Sequence, residues 1–98
     1  MIGVSVTFQY GEDFDPARVA AIAESARGAF EGMSGLRSKV FTVDAARHRA
    51  MNFYVWDSSD AAKNFFSAEM RQRVTGLYGV EPRIEFVEIA QIVDNAGG

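Results

Sequence analysis

Between Arg37 and Trp56 the chain concentrates its chemistry-bearing side chains: Arg37, Lys39, His48, Asn52, Tyr54 and Trp56. His48 is the single histidine. Imidazole is the side chain whose ordinary pKa lies near neutrality, so His48 is the natural proton acceptor. The competing reading makes it a surface residue of the turn "DAARHR", flanked by Arg47 and Arg49. Tyr54 and Trp56 alternate on the face opposite Phe53. They suit a stacking wall with a phenol donor, and equally suit packing at a subunit interface, where aromatics are enriched. Asn52 shares their face, and a buried amide there needs partners that a ligand or a second chain would supply. Lys39 and Arg37 lie on the face of Phe41, either to hold an anionic substrate or as solvated charges at a sheet edge.

Composition narrows the chemistry. The 98 residues make one domain, and a chain of this length buries roughly 60–65% of its unfolded surface. There are eight Phe and no Cys, which excludes a disulfide framework, thiolate catalysis and a Cys-based metal site. A lone His argues against a zinc or haem-iron centre, and Glu81, Glu85 and Glu88 have no imidazole companion. The net charge of −3 argues against a nucleic-acid partner, which needs clustered Lys and Arg. No apolar run reaches the ~18 residues of a membrane span. The N-terminus "MIGVSVTFQYGEDFD" carries no basic region ahead of a long apolar one, so no signal peptide is expected and the default location is the cytoplasm.

The elements that must position these groups follow from periodicity. Ile2, Val4, Val6, Phe8 and Tyr10 alternate with Gly3, Ser5, Thr7 and Gln9, the period of a strand with one buried side. Asp15-Pro16 opens a helix, with a carboxylate cap and a proline tolerated at the first position. Val19, Ile22, Ala23, Ala26, Phe30 and Met33 form its apolar stripe, and Ser34-Gly35 ends it. Strands are expected at Leu36–Val43 and Ala50–Trp56. "DSSD" at Asp57–Asp60 caps a second helix carrying Ala62, Phe65, Phe66, Met70, Val74 and Leu77, which Gly79 stops. Phe65, Phe66 and Met70 read as core, or as the apolar wall of a cleft between helix and sheet. Arg83–Val93 reads as a long last strand and "DNAGG" as a frayed tail. The order β-α-β-β-α-β is the ferredoxin-like motif, an α+β fold of two βαβ halves. Right-handed crossovers put both helices on one face of a four-stranded antiparallel sheet.

The other sheet face is the difficulty. A wet face alternates cleanly with polar residues, yet here both faces carry large apolar side chains. Met51, Phe53 and Val55 oppose Asn52, Tyr54 and Trp56; Leu36 and Val40 oppose Phe41 and Val43; Ile84 and Phe86 oppose Val87, Ile89 and Val93. Exposed on a monomer, the second face would be an apolar patch of several hundred Å². At about 25 cal/mol per Å², covering it on two chains yields more than about 10 kcal/mol before association costs. A homodimer with sheets packed face to face, closed by two-fold symmetry, is therefore expected.

With this order in hand, the chain resembles the dimeric α+β barrel superfamily, and within it the small YdhR-type mono-oxygenases. The likeness is carried by Gly35, Leu36, Lys39, Val40, Phe41 and Thr42 in "GLRSKVFT", by His48, Ala50 and Tyr54, by the helix start "DSSDAAKNFF", and by "GVEPRIEFVEIAQIVDN". It runs from Gly35 to Asn95; the N-terminal third matches in pattern alone. Met51-Asn52 stands where the family commonly has small residues, which implies a smaller or differently shaped cleft. The resemblance implies a cofactor-independent mono-oxygenase-like enzyme acting on a small apolar, aromatic substrate. A deprotonated, electron-rich phenol or anthrone passes an electron to O₂, in an apolar cavity with a base and anion-stabilising donors. On that basis His48 and Tyr54 would handle protons, and Lys39, Phe41, Asn52 and Trp56 would bind substrate. No metal or other cofactor would be needed. Haem-degrading relatives use a helical histidine, and neither predicted helix here has one. The alternative function is a dimeric module that binds a small ligand without turnover; a third possibility is a dimer whose sheet face is interface alone.

Overall fold

The computed structural model describes residues 1–95. It contains β1 (Ile2–Gln9), α1 (Pro16–Phe30), β2 (Leu36–Asp44), β3 (Arg49–Trp56), α2 (Ser59–Phe65), α3 (Ala68–Tyr78) and β4 (Arg83–Glu88). The sheet is antiparallel in the order β2-β3-β1-β4. The helices pack on one face, giving the ferredoxin-like α+β architecture that the period-two and period-3.6 patterns imply. Among the described residues no helix is long and apolar enough to cross a membrane.

Strand register decides which side chains meet the helices. Val4, Val6 and Phe8 of β1 pair with Tyr54, Asn52 and Ala50 of β3, and all six are buried. With Trp56, Val19, Ala62 and Tyr78 they form the core, apart from Asn52, its one polar neighbour among the described buried residues. Asn52, Tyr54 and Trp56 thus face the helices of their own chain. Met51, Phe53 and Val55 take the outer face, as strand alternation requires.

The helix ends follow local chemistry. The Asp15 carboxylate accepts from the amides of Ala17 and Arg18 at 3.1 and 3.2 Å, occupying donors that the first turn leaves free. α1 stops at Phe30, short of the expected Ser34-Gly35, because Gly32 adopts φ 71°, a conformation that ends helices and that glycine adopts without strain. Met33 still packs on the core from beyond the helix. The single second helix expected from sequence is two. α2 ends at Phe65, its C-cap Phe66 leaves helical geometry with φ −84° and ψ 60°, and Ser67 caps α3 by accepting from the Met70 amide. Serine at this position offers a fresh cap and makes restarting cheap. Gly79, in the left-handed conformation, closes α3 through its amide to the Thr75 carbonyl at 2.8 Å.

Two strand expectations are also corrected. β4 was expected to reach Val93 and ends at Glu88. Its neighbour is β1, and Glu88, the last residue of β4, pairs with Ile2, the first residue of β1. Leu36 and Val40 do not share a face. A bulge between Leu36 and Ser38 adds one residue to β2 and inverts the alternation. Leu36 therefore packs on the core, and Val40, opposite Phe53, lies on the outer face. Residues 96–98 of the expected C-terminal tail lie outside the described residues.

Candidate active site

Between the sheet and the helices lies a cavity of about 220 Å³. Its floor is Val6 and Phe8 of β1, Phe41 of β2, and Asn52 and Tyr54 of β3. Its roof comes from Phe30 and Ala26 of α1, Phe65 of α2, and Met70, Val74 and Tyr78 of α3. Lys39 enters from β2, and Arg73 and Leu77 stand on α3 at its edge. The lining is mostly apolar with a few converging polar groups, the usual composition of a small-molecule site.

Each polar group is held by a packed neighbour. Lys39 pairs with Tyr54 across the β2–β3 ladder. Its ammonium nitrogen lies 3.4 Å from the ring centroid of Phe30, 4.1 Å from that of Phe41 and 4.3 Å from that of Tyr54. No carboxylate lies within ion-pair reach of it among the described residues. Burial lowers its pKa to about 7, because a low-dielectric surrounding penalises the charged form. The three ring faces pull the other way. The amine is thereby poised between its two states near neutral pH.

The Asn52 side-chain amide donates to the Tyr78 hydroxyl oxygen at 3.2 Å, leaving its own carbonyl and the Tyr78 proton free to meet a ligand. Tyr78 is fixed by stacking on Phe8, with centroids 3.8 Å apart and planes 4° apart. Tyr10 anchors the end of the same helix by donating to the Tyr78 carbonyl at 2.7 Å. The Tyr54 hydroxyl makes no hydrogen bond to described protein groups. Burial raises the pKa of both Tyr54 and Tyr78, so both stay protonated donors at neutral pH.

Of the residues expected from sequence, Lys39, Phe41, Asn52 and Tyr54 come together in this cavity. Trp56 is not part of the lining; it stacks on Tyr54 with centroids 6.0 Å apart and planes 9° apart, supporting that ring from behind. Its indole Nε1 is buried without a hydrogen-bond partner. His48 lies elsewhere. It occupies the β2–β3 turn at φ 53°, its ring 5.9 Å from that of Phe14, and its carbonyl accepts from the Tyr10 amide and the Gln9 side chain at 2.9 and 3.1 Å. Six positions separate it from Tyr54, roughly 20 Å along a strand. Arg37 sits in the bulge and pairs with Asp57 at 3.8 Å, outside the cavity. Tyr78 and Arg73 were not singled out from sequence. The signal for Tyr78 is the four-residue step Met70, Val74, Tyr78, which becomes visible once α3 is started at Ser67.

No protein-family model matches this chain, and no curated protein does. Solved structures do. The chain is similar to the monooxygenase ActVA-Orf6 of Streptomyces coelicolor, solved in complex with nanaomycin D. The TM-score is 0.70 at 21% identity, covering 97% of this chain and 92% of that one. It is similar to NE2512, a protein of unknown function from Nitrosomonas europaea, with a TM-score of 0.76 at 15% identity over 98% and 95% of the two chains. SnoaB, a cofactor-independent oxygenase of Streptomyces nogalater, superposes with a TM-score of 0.64 at 14% identity over 94% of each chain. The chain shares its ferredoxin-like fold with these structures.

Proposed function

We propose that the chain is a cofactor-independent mono-oxygenase of the YdhR type, acting on a small aromatic substrate bound between sheet and helices. The observation that carries this is Lys39: an amine poised near neutrality, enclosed by three aromatic rings, with no carboxylate to neutralise it. In the neutral state it takes the proton of an acidic phenol or of an anthrone methylene. The resulting ammonium then stabilises the anion it has made, in a site where water is scarce. The hydroxyl protons of Tyr54 and Tyr78 and the amide of Asn52 are the further donors available to spread that charge. The anion transfers one electron to O₂, the radical pair joins in a C–O bond, and the peroxide loses water. Anthrone plus O₂ thus becomes quinone plus H₂O. Proton handling on this reading rests with Lys39 and Tyr54, and His48 has no part in it. Phe41 and the Trp56-backed ring of Tyr54 hold the substrate plane.

We further propose that two copies pair through the outer sheet face. Val40 and Val87 are 53% and 45% exposed there. The Phe53 ring lies across Gly3, so close that a Cβ on Gly3 would stand 2.7 Å from it and 3.1 Å from Val87. The absence of a side chain at Gly3 lets Phe53 lie flush and level the face for a partner.

Oxygen uptake with a panel of anthrones and quinols tests the reaction. Lys39→Met is expected to lower kcat/KM by about 100-fold or more, the contribution of a positioned base, and His48→Ala to leave it unchanged. No uptake across the panel, or full uptake by Lys39→Met, would reject the mechanism. Tight ligand binding without uptake would leave the non-catalytic binding module.

A further inference from the structure

The cavity edge carries a cation that the reaction does not need. Arg73 is exposed on α3, between Met70 and Leu77 in the lining. The chain has an excess of acids, 13 against 10 Lys and Arg, yet the cavity lining contains Lys39 and Arg73 and no carboxylate. Most of the other arginines find partners; Arg18, on α1 and outside this cavity lining, makes neither an ion pair nor a side-chain hydrogen bond among the described residues. Arg27, Arg37, Arg47, Arg49 and Arg83 form ion pairs, and Arg71 donates to the Pro82 carbonyl at 3.2 Å. Arg73 does neither among the described residues, although a partner is available. Glu69 stands one turn before it on α3, the acid-before-base i,i+4 spacing that favours pairing on a helix, and the two are not within ion-pair distance. The surroundings explain why an unpaired guanidinium matters here. Leu77, the residue one turn after it, is 47% exposed, so the edge is otherwise apolar and offers a ligand one polar anchor.

We propose that the cavity takes an aromatic carboxylic acid, whose ring system enters between the sheet and α1 and α3 while its carboxylate pairs with Arg73 at the edge. The guanidinium suits this role. It is charged at every accessible pH, and its planar fork matches a carboxylate with two parallel hydrogen bonds. An exposed position keeps it solvated until the ligand arrives, so Arg73 carries no burial penalty in the unliganded protein. The two cations then divide the work: Lys39 meets the group that reacts, and Arg73 reads a permanent charge at the far end of the molecule. The size of the ring system follows from volume. A dry cavity of about 150 Å³ accepts benzene, so the 220 Å³ here leaves room for a second fused ring.

This inference rests on the cavity being the substrate site, and not on the reaction carried out there. Calorimetric titration with 2-naphthoate and its uncharged isostere 2-naphthamide tests it. The acid should bind about tenfold tighter at low salt, the effect of a hydrogen-bonded charge pair at an exposed position, and the gap should narrow as salt rises. Arg73→Gln should remove most of that gap while leaving 2-naphthamide unaffected. Arg27→Gln, on α1 and outside the cavity lining, should change neither. Equal binding of acid and amide, no binding of either, or an Arg73→Gln variant that keeps the gap or weakens both ligands alike would overturn the inference. Oxygen uptake from neutral anthrones is an independent readout. If it depends on Lys39 while naphthoate shows no preference, only the aromatic-acid inference fails; if the preference holds without uptake, only the oxygenase reading fails.

Discussion

The two faces of β3 are built from alternate residues of one short segment and do different work. The inner face carries Asn52, Tyr54 and Trp56, all buried beneath the helices of the same chain. The outer face carries Met51, Phe53 and Val55, opposite Thr42, Val40 and Ser38 of β2. The inner face is aromatic and polar together, and its polar atoms are aimed at a cavity or at one another. The outer face is aliphatic and aromatic, levelled by the notch at Gly3, with no titratable side chain on that stretch of β3. Apolar content is therefore a poor guide to role. What separates a site from an interface is whether polar groups are buried with it and left with spare hydrogen-bonding capacity, as at Asn52 and Tyr78.

If that division is sound, each face can be damaged without the other. The largest effect is expected on the outer face. Phe53→Glu places a carboxylate twice in a two-fold symmetric contact, and should weaken self-association by roughly a thousandfold. Sedimentation at micromolar concentration would then show single chains. A variant that still pairs would place the interface elsewhere.

On the inner face, kcat/KM should fall about tenfold for each pH unit below about 7 and level off above, since Lys39 acts as a base only when neutral. Lys39→Met should flatten the profile. The same group sets a stability trend of known sign. Its folded pKa lies below the unfolded value of 10.5, so the unfolded chain binds the extra proton between about 7 and 10.5, and stability gains as pH rises through that window. Below it, the full cost of burying the ammonium remains. Thermal melts should therefore show Lys39→Met ahead of the parent at pH 6, with the gap closing toward pH 10.

The smallest expected effect is on the polar pair. Tyr78→Phe removes the acceptor of the Asn52 amide and leaves a buried donor unpaired, at a cost of about 1–3 kcal/mol. For a domain of this size that lowers Tm by several degrees. The outer face, and with it the assembly state, should be unchanged. A loss of self-association in Tyr78→Phe would show that the two faces are coupled through β3.

Much of the architecture was legible in residue order. Val4, Val6 and Phe8 announce β1 by alternation, Asp15-Pro16 announces α1 by capping chemistry, and Gly79 announces the end of α3. These are local signals whose energies are decided within a turn or between neighbouring residues. The misread features all depend on something distant or on competing local options. The β4 boundary coincides with the end of its pairing to β1. The face of Leu36 is set by a bulge in pairing with β3. The α2–α3 break is set by Ser67, a cap whose signal is weaker than the apolar stripe running through it. The site divides in the same way. Lys39 and Phe41 were readable as one face of β2, and Asn52 and Tyr54 as one face of β3; that the two sets share a face follows only from the β2–β3 register. His48 was readable as a titratable residue and not as a distant one. Tyr78 and Arg73 come from a helix whose phase is known only after its start is known.

The sequence by itself determined the order of the strands along the chain, the α+β class and which residues alternate within β1 and β3, because strand alternation and helix capping act over a few residues. Tertiary structure alone decided that the face of Asn52, Tyr54 and Trp56 meets the helices, that Lys39 is enclosed by rings from α1, β2 and β3, and that Tyr78 and Arg73 join it. Those outcomes are set by which surfaces fold over the sheet to exclude water, and desolvation of a single amine is a property of all of them at once.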